Sequence, residues 1–343
     1  MSQLQRDPLR HVKPACRAEQ AYTLAARRAP VKVNQNENPF DLPEALKRRV
    51  LERALSREWS RYPDFDPTEL LEHLAAFAGW RADGVLAGNG SNELIEALLL
   101  VTVGQGPKVA IPEPTFTLYA LLTRLLGGQV VSVALGPRLE YDAALLARAR
   151  RESAAPLTIV CSPNNPTGGV LGEDDLCGLL AEGDGLVVVD EAYHEFSGRS
   201  AVPLLREFDN LVVLRTFSKA MGMAGLRVGY LLAAPALVRE VNKARLPYNL
   251  NFFSQLAALA ALDEQALLRE NVERLRRERE RVARALAALP GVRPYPSQAN
   301  FILFELEGAA PKAVFEALHA RGVLVRDVSS YPRLGRCLRV SVG

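Results

Sequence analysis

The stretch "LVVVDEAYHEFSGRSAVPLLREFDNLVVLRTFSKAMGMAGLRVGYLLA" runs from Leu186 to Ala233. It holds three short runs rich in Val and Leu: "LVVVD" (186–190), "LVVLRT" (211–216) and "VGYLLA" (228–233). Continuous apolar runs of this length suit strands covered on both faces. The same texture recurs upstream at "LTIVCS" (157–162), "QVVSVAL" (129–135) and "KVAIP" (108–112). Between the runs, "SNELIEALLLVTV" and "PTFTLYALLTRLL" repeat their apolar residues at helical spacing. This alternation predicts an α/β fold: a large domain whose mostly parallel sheet is covered by helices.

From about residue 255 the texture changes. A long charged helical segment, "DEQALLRENVERLRRERERVARALAAL", leads to "NFILFEL", "PKAVFEALHARG", "VLVRDV" and "CLRVSV". These read as a smaller α+β domain, with the charged helix as a solvated or inter-domain face. The expected organisation is an N-terminal segment, 1–50, packing with the small domain, a large domain, 51–254, and a small domain, 255–343.

The bulk properties narrow the function. At 343 residues the chain is long enough for about two domains. A net charge of +3 with scattered basic residues gives no footprint for nucleic acid. No apolar run approaches the roughly 18 residues of a membrane span. The start, "MSQLQRDPLRHVKPA", lacks the apolar core of a signal peptide, and the four cysteines lie far apart, so a reducing cytoplasm is the expected location. Four scattered cysteines form no CxxC, and four histidines show no ligand spacing, so no metal is expected.

Ligands of such sheets gather at the carboxyl ends of the strands. The loops to read are therefore "SPNNPTGG", "DEAYHEF" and "TFSKAMGMAGLR", together with "AGNGSNELI" (87–95), which opens the first large helix. Only seven of the 42 basic residues are lysines, and Lys219 stands in one of these loops. Unlike arginine, its amine can lose a proton and attack a carbonyl. On its own a lysine is more often a solvated surface residue. Its neighbours shift that balance. Asp190 ends an apolar strand and suits a protonated pyridine nitrogen, although a helix N-cap would also explain it. Tyr193 suits a phenolic oxygen on the same ring, or core packing. Asn165 suits that oxygen too, or a turn. Ser91 and Asn92 offer N–H groups to a phosphate at a helix start. Ser218 and Arg227 complete the cup, Arg227 with a bidentate fork. An aldehyde, a pyridine ring, a phenolic oxygen and a phosphate together describe pyridoxal 5'-phosphate.

The ordered motifs "VNQNENPF", "RYPD", "GNGSNELI", "PTF", "SPNNPTG", "DEAYHEF", "TFSKAMGMAGLRVGY", "NFIL" and "LRVSVG" span almost the whole chain. The sequence resembles the fold-type I pyridoxal-phosphate aminotransferases, and within them the histidinol-phosphate aminotransferases. The resemblance implies that Lys219 binds the cofactor and moves the proton. It gives Asp190 the pyridine nitrogen, Tyr193 and Asn165 the phenolic oxygen, and Ser91, Asn92, Ser218 and Arg227 the phosphate. It further implies that Tyr62 reaches the cofactor of a second copy in a homodimer with shared sites. Arg339 would bind the substrate's anionic end, helped by Arg326 and Tyr22, with Asn36 in the segment that covers the site. Three departures stand out. Phe116 occupies the ring-stacking position, often Tyr or Trp in relatives. "GSNE" replaces "GSDE". The chain also stops two residues after Ser341, where a short terminal helix would be expected. The implied reaction passes an amino group between histidinol phosphate and 2-oxoglutarate, or between glutamate and imidazole-acetol phosphate. Transamination of aromatic or other amino acids, and decarboxylation of threonine phosphate, would use the same cofactor residues.

Overall fold

A computed structural model describes residues 7–21, 27–104 and 106–343. After a short strand β1 (Val31–Lys32), seven strands build the large sheet. They are β2 (Val85–Gly88), β3 (Lys108–Glu113), β4 (Gln129–Ala134), β5 (Leu157–Cys161), β6 (Leu186–Asp190), β7 (Leu211–Thr216) and β8 (Gly229–Ala233). The order is β2-β8-β7-β6-β5-β3-β4. All neighbours pair in parallel except those of β8, which runs antiparallel to both β7 and β2. Alternate residues feed the two faces, as a period of two requires. Val187, Val189, Leu211 and Val213 enter one hydrophobic cluster, and Val188, Val212 and Leu214 enter the other. That double burial is why these strands are apolar throughout.

Strand β2 takes in Ala87 and Gly88, which the sequence reading assigned to the loop. The helix Ser91–Thr102 follows it closely, and its partner β8 must come very near. A Cβ on Gly229 would lie 2.3 Å from the Ser91 nitrogen, so glycine is required there.

The smaller sheet has the order β12-β13-β10-β9, all antiparallel. Its strands are β9 (Val292–Pro294), β10 (Phe301–Leu306), β12 (Arg326–Asp327) and β13 (Cys337–Ser341), with β11 (Val323–Leu324) outside it. The run "VLVRDV" is thus two strands. Val323 and Leu324 pair in parallel with Val31 and Lys32 of β1, whereas Arg326 and Asp327 pair with β13. One continuous run therefore serves two partners, with Val325 between the two pairings.

The helix Phe252–Leu262 is buried along its length and packs on the helices Glu44–Leu55 and Thr68–Ala78 beside the large sheet. The charged helix Gln265–Ala287 buries only Val272 and Leu275. These join Tyr193, Phe196 and Phe301 in a cluster between the two sheets. Arg276 donates from Nε to the Phe196 carbonyl at 2.9 Å and from Nη2 to the Glu195 carbonyl at 2.8 Å, and Arg279 Nη1 donates to the Ala299 carbonyl at 3.1 Å. One face of this helix therefore ties the segment after β6 to the approach of β10. Among the described residues, no helix is long and apolar enough to cross a membrane.

Candidate active site

The carboxyl ends of β5, β6 and β7 open into a cavity of about 480 Å³. Lys219, Asp190, Tyr193, Asn165, Phe116, Ser91, Asn92, Ser218, Arg227, Asn36, Arg326 and Arg339 all line it. Two sequence candidates stand apart. Tyr62 is exposed and stacks on Tyr248, ring centroids 4.5 Å apart. Tyr22 lies outside the described residues.

Lys219 follows the end of β7 by three residues, anchored by the fully buried Phe217. It is half-buried, and Nζ donates to the Gln35 carbonyl at 3.1 Å. Burial lowers its pKa to about 8, helped by the positive charges of Arg339 and Arg227 and opposed by Glu37 and Asp190. The amine is thus partly unprotonated near neutral pH, which a nucleophilic lysine needs.

Asp190 ends β6 at 3% exposure. Its Oδ2 accepts from the Tyr119 hydroxyl at 2.6 Å and its Oδ1 from the Ala192 amide at 3.1 Å. Burial raises its pKa above the ordinary carboxylate range, against the pull of these two bonds. Neither hydrogen-bond partner carries charge. A cation arriving from the cavity would therefore supply what a buried carboxylate requires.

Tyr193 accepts from Asn36 Nδ2 at 3.0 Å, and burial holds its phenol far above the usual range. It stays protonated and can donate. Asn36 sits in the left-handed region at φ 55°, 1% exposed. Its amide nitrogen donates to Ser341 Oγ at 2.8 Å, and Asn300 Nδ2 donates to its carbonyl at 3.1 Å. The covering segment is thereby pinned to β13 and to the entry of β10.

Opposite lies a cradle of donors. Arg227 Nη1 donates to Ser218 Oγ at 2.9 Å, beside the uncapped N-terminus of the helix Ser91–Thr102. A Cβ on Gly90, itself at φ 79°, would fall 2.4 Å from Arg227 Nη2. Glycine there lets the guanidinium lie against the helix start, a favourable place for a phosphate. On the other side, Arg339 Nη2 donates to the Asn34 carbonyl at 2.8 Å, and Nη1 donates to Asn165 Oδ1. Its guanidinium lies 5.2 Å over the Phe301 ring. Arg326 faces Arg339 in the strand register.

The cavity thus sets a low-pKa lysine and a buried acid between two separate cationic ends. The family model for class I and II aminotransferases matches residues 28–343. The chain belongs to this family. This aminotransferase is 39% identical to the histidinol-phosphate aminotransferase of Chlorobium luteolum, over 99% of its own length and 95% of the relative's. It is 39% identical to that of Thermoanaerobacter pseudethanolicus, over 91% and 88%. The histidinol-phosphate aminotransferase of Sinorhizobium meliloti, solved in complex with pyridoxal-5'-phosphate, superposes with a TM-score of 0.88 at 26% identity, covering 97% of this chain and 93% of that one.

The residues of this aminotransferase fit pyridoxal phosphate. The Gly90 and Gly229 positions leave the donor cradle open, and Asp190 lacks a charged hydrogen-bond partner. Sequence reasoning missed Tyr119, whose hydroxyl holds Asp190. The residue sits inside an apolar helical pattern, where a tyrosine reads as packing. It also missed Asn34, Gln35 and Tyr331, which line the cavity. The quoted motif "VNQNENPF" contains Asn34 and Gln35 and was the one available signal for them.

Proposed function

We propose that this enzyme transfers an amino group between histidinol phosphate and 2-oxoglutarate, with pyridoxal phosphate bound in the cavity. The observation that carries the reading is the placement of Lys219 between two anion sites, Arg227 with Ser218 on one side and Arg339 with Arg326 on the other. One site suits the cofactor's phosphate. The other suits a substrate anion, a carboxylate in one half-reaction and a phosphate in the next, because an arginine fork binds both. The names of the close relatives support the choice of substrate.

When bound, pyridoxal phosphate supplies an aldehyde that takes up the amino group and a ring that draws off electrons from the α-carbon. Lys219 Nζ, with its lowered pKa, would take the proton from the substrate's α-carbon and return it to the carbon that carried the aldehyde oxygen. Asp190 holds a proton on the ring nitrogen, and Tyr119 keeps that carboxylate aimed. Tyr193 and Asn165 donate to the ring's phenolic oxygen. Ser91, Asn92, Ser218 and Arg227 hold the phosphate, and Phe116 packs against the ring. Arg339, Arg326, Asn36 and Tyr22 receive the substrate.

The same reading makes the enzyme a cytoplasmic homodimer, with Tyr62 directed at the partner copy's cofactor. Support comes from exposed apolar side chains in the same stretch of chain, Leu55 at 74%, Trp59 at 62% and Tyr62 at 80%, and from the exposed Tyr248 stacked on the Tyr62 ring. Such a cluster suits an interface.

Incubating the pure protein with histidinol phosphate and 2-oxoglutarate tests the reading, with threonine phosphate in parallel. Glutamate formation from the first mixture is expected. Carbon dioxide from threonine phosphate, with no glutamate from histidinol phosphate, would overturn it.

A further inference from the structure

A buried ion pair lies just outside the cavity wall. Arg215 Nε donates to Glu191 Oε2 at 2.9 Å, with side-chain exposures of 6% and 2%. Glu191 follows Asp190 directly, and Arg215 stands on β7 shortly before Lys219. The Glu191 amide donates to the Leu214 carbonyl at 2.8 Å, extending the β6–β7 ladder past Asp190. Consecutive strand residues point to opposite faces. Asp190 accordingly meets Tyr119 in one direction, while Glu191 meets Arg215 in the other. Arg215 also faces Tyr230 across the β7–β8 register. Its Nη2 donates to Ser200 Oγ at 2.7 Å, Ser200 Oγ donates to Glu191 Oε2 at 3.2 Å, and the Ala201 amide donates to Glu191 Oε1.

Buried ion pairs are poor sources of stability, because desolvation offsets their attraction, and apolar residues of similar volume often hold a core as well. What such a pair adds is direction, since a bonded fork and carboxylate fix the strands that carry them. There is also an electrostatic consequence. The Glu191 charge pushes Asp190 toward its protonated form, and Arg215 counters that charge.

We propose that Glu191 and Arg215 are positioning residues for amino transfer: they lock the carboxyl ends of β6 and β7 together, so that Asp190 and Lys219 address one bound ring from fixed places. The proposal rests on the reading of the cavity as a pyridoxal phosphate site.

The test compares the wild type with the Glu191→Leu/Arg215→Leu double variant and with Glu191→Gln. Thermal unfolding reports the fold. Cofactor affinity, the near-visible absorption band of the bound cofactor, and kcat and KM report the site. The double variant should unfold within a few degrees of the wild type. It should nevertheless bind pyridoxal phosphate about tenfold or more weakly, with a displaced band and a kcat reduced by a similar factor at little change in KM. Wild-type affinity, band and kcat in the folded double variant would overturn the proposal. If the double variant does not fold, Glu191→Gln carries the same readouts. Failure of both to fold would make the pair a stability element and also overturn it. A wild type that binds no pyridoxal phosphate would instead remove the underlying reading of the cavity.

Discussion

Arg326 and Arg339 stand directly opposite each other on the antiparallel strands β12 and β13, and both line the cavity that holds Lys219. Like charges directly opposite across strands repel. An anion entering between them would relieve that repulsion and so gain from both arginines. Arg339→Ala should slow both half-reactions, with glutamate and with histidinol phosphate, by about one to two orders of magnitude in kcat/KM. The bound cofactor's spectrum should stay unchanged. Stopped-flow measurement of each half-reaction decides this. Loss with glutamate alone would assign the phosphate to a separate site, with Arg326 the first residue to examine.

The cradle on the other side makes a different prediction. Arg227→Ala should weaken pyridoxal phosphate by roughly 10–100-fold and leave pyridoxal, which has no phosphate, little affected. Gly90→Ala should act in the same direction, because its methyl would displace the guanidinium. Equal loss for the two ligands would show that the cradle does not read the phosphate.

Lys219 gives a pH prediction for the cofactor-free protein. Its pKa falls from 10.5 to about 8 on folding. Between these values the unfolded chain binds more protons, so stability rises with pH across that window. Below about pH 8 the cost of burying the charged amine is fully present. Lys219→Met should therefore raise the melting temperature by a few degrees at pH 7, with a gain that shrinks toward pH 10.5. A gain independent of pH would show that the effect comes from packing.

Much of this was legible in the sequence, and the gaps have physical causes. Strands β5, β6 and β7 are buried on both faces, so unbroken apolar runs mark them, and the polar residues beyond their ends mark the site. Strand β2 spans only four residues and ends in glycine, so no pattern separates it from the loop after it. The break at Val325 is invisible because no glycine or proline marks it within "VLVRDV". It follows from tertiary pairing, Leu324 with β1 and Arg326 with β13. Tyr119 shows the limit for function. Only the folded chain brings its hydroxyl to Asp190, a residue 71 positions away.

Shared sites can be tested by mixing two inactive chains. Lys219→Ala and Tyr62→Ala homodimers should each be defective. If Tyr62 serves the partner's cofactor, a heterodimer carries both lesions in one site and none in the other. Random mixing should then restore about a quarter of wild-type activity. No recovery on mixing, or a fully active monomer in sedimentation, would contradict the shared site.

In the proposed mechanism Lys219 alone carries the cofactor. Borohydride reduction of the loaded protein, followed by proteolysis and mass mapping, tests it most directly. One phosphopyridoxyl group per chain is expected, on the peptide containing Lys219 and on none of the other six lysines. A label on another lysine, or none on Lys219 in fully loaded protein, would contradict it.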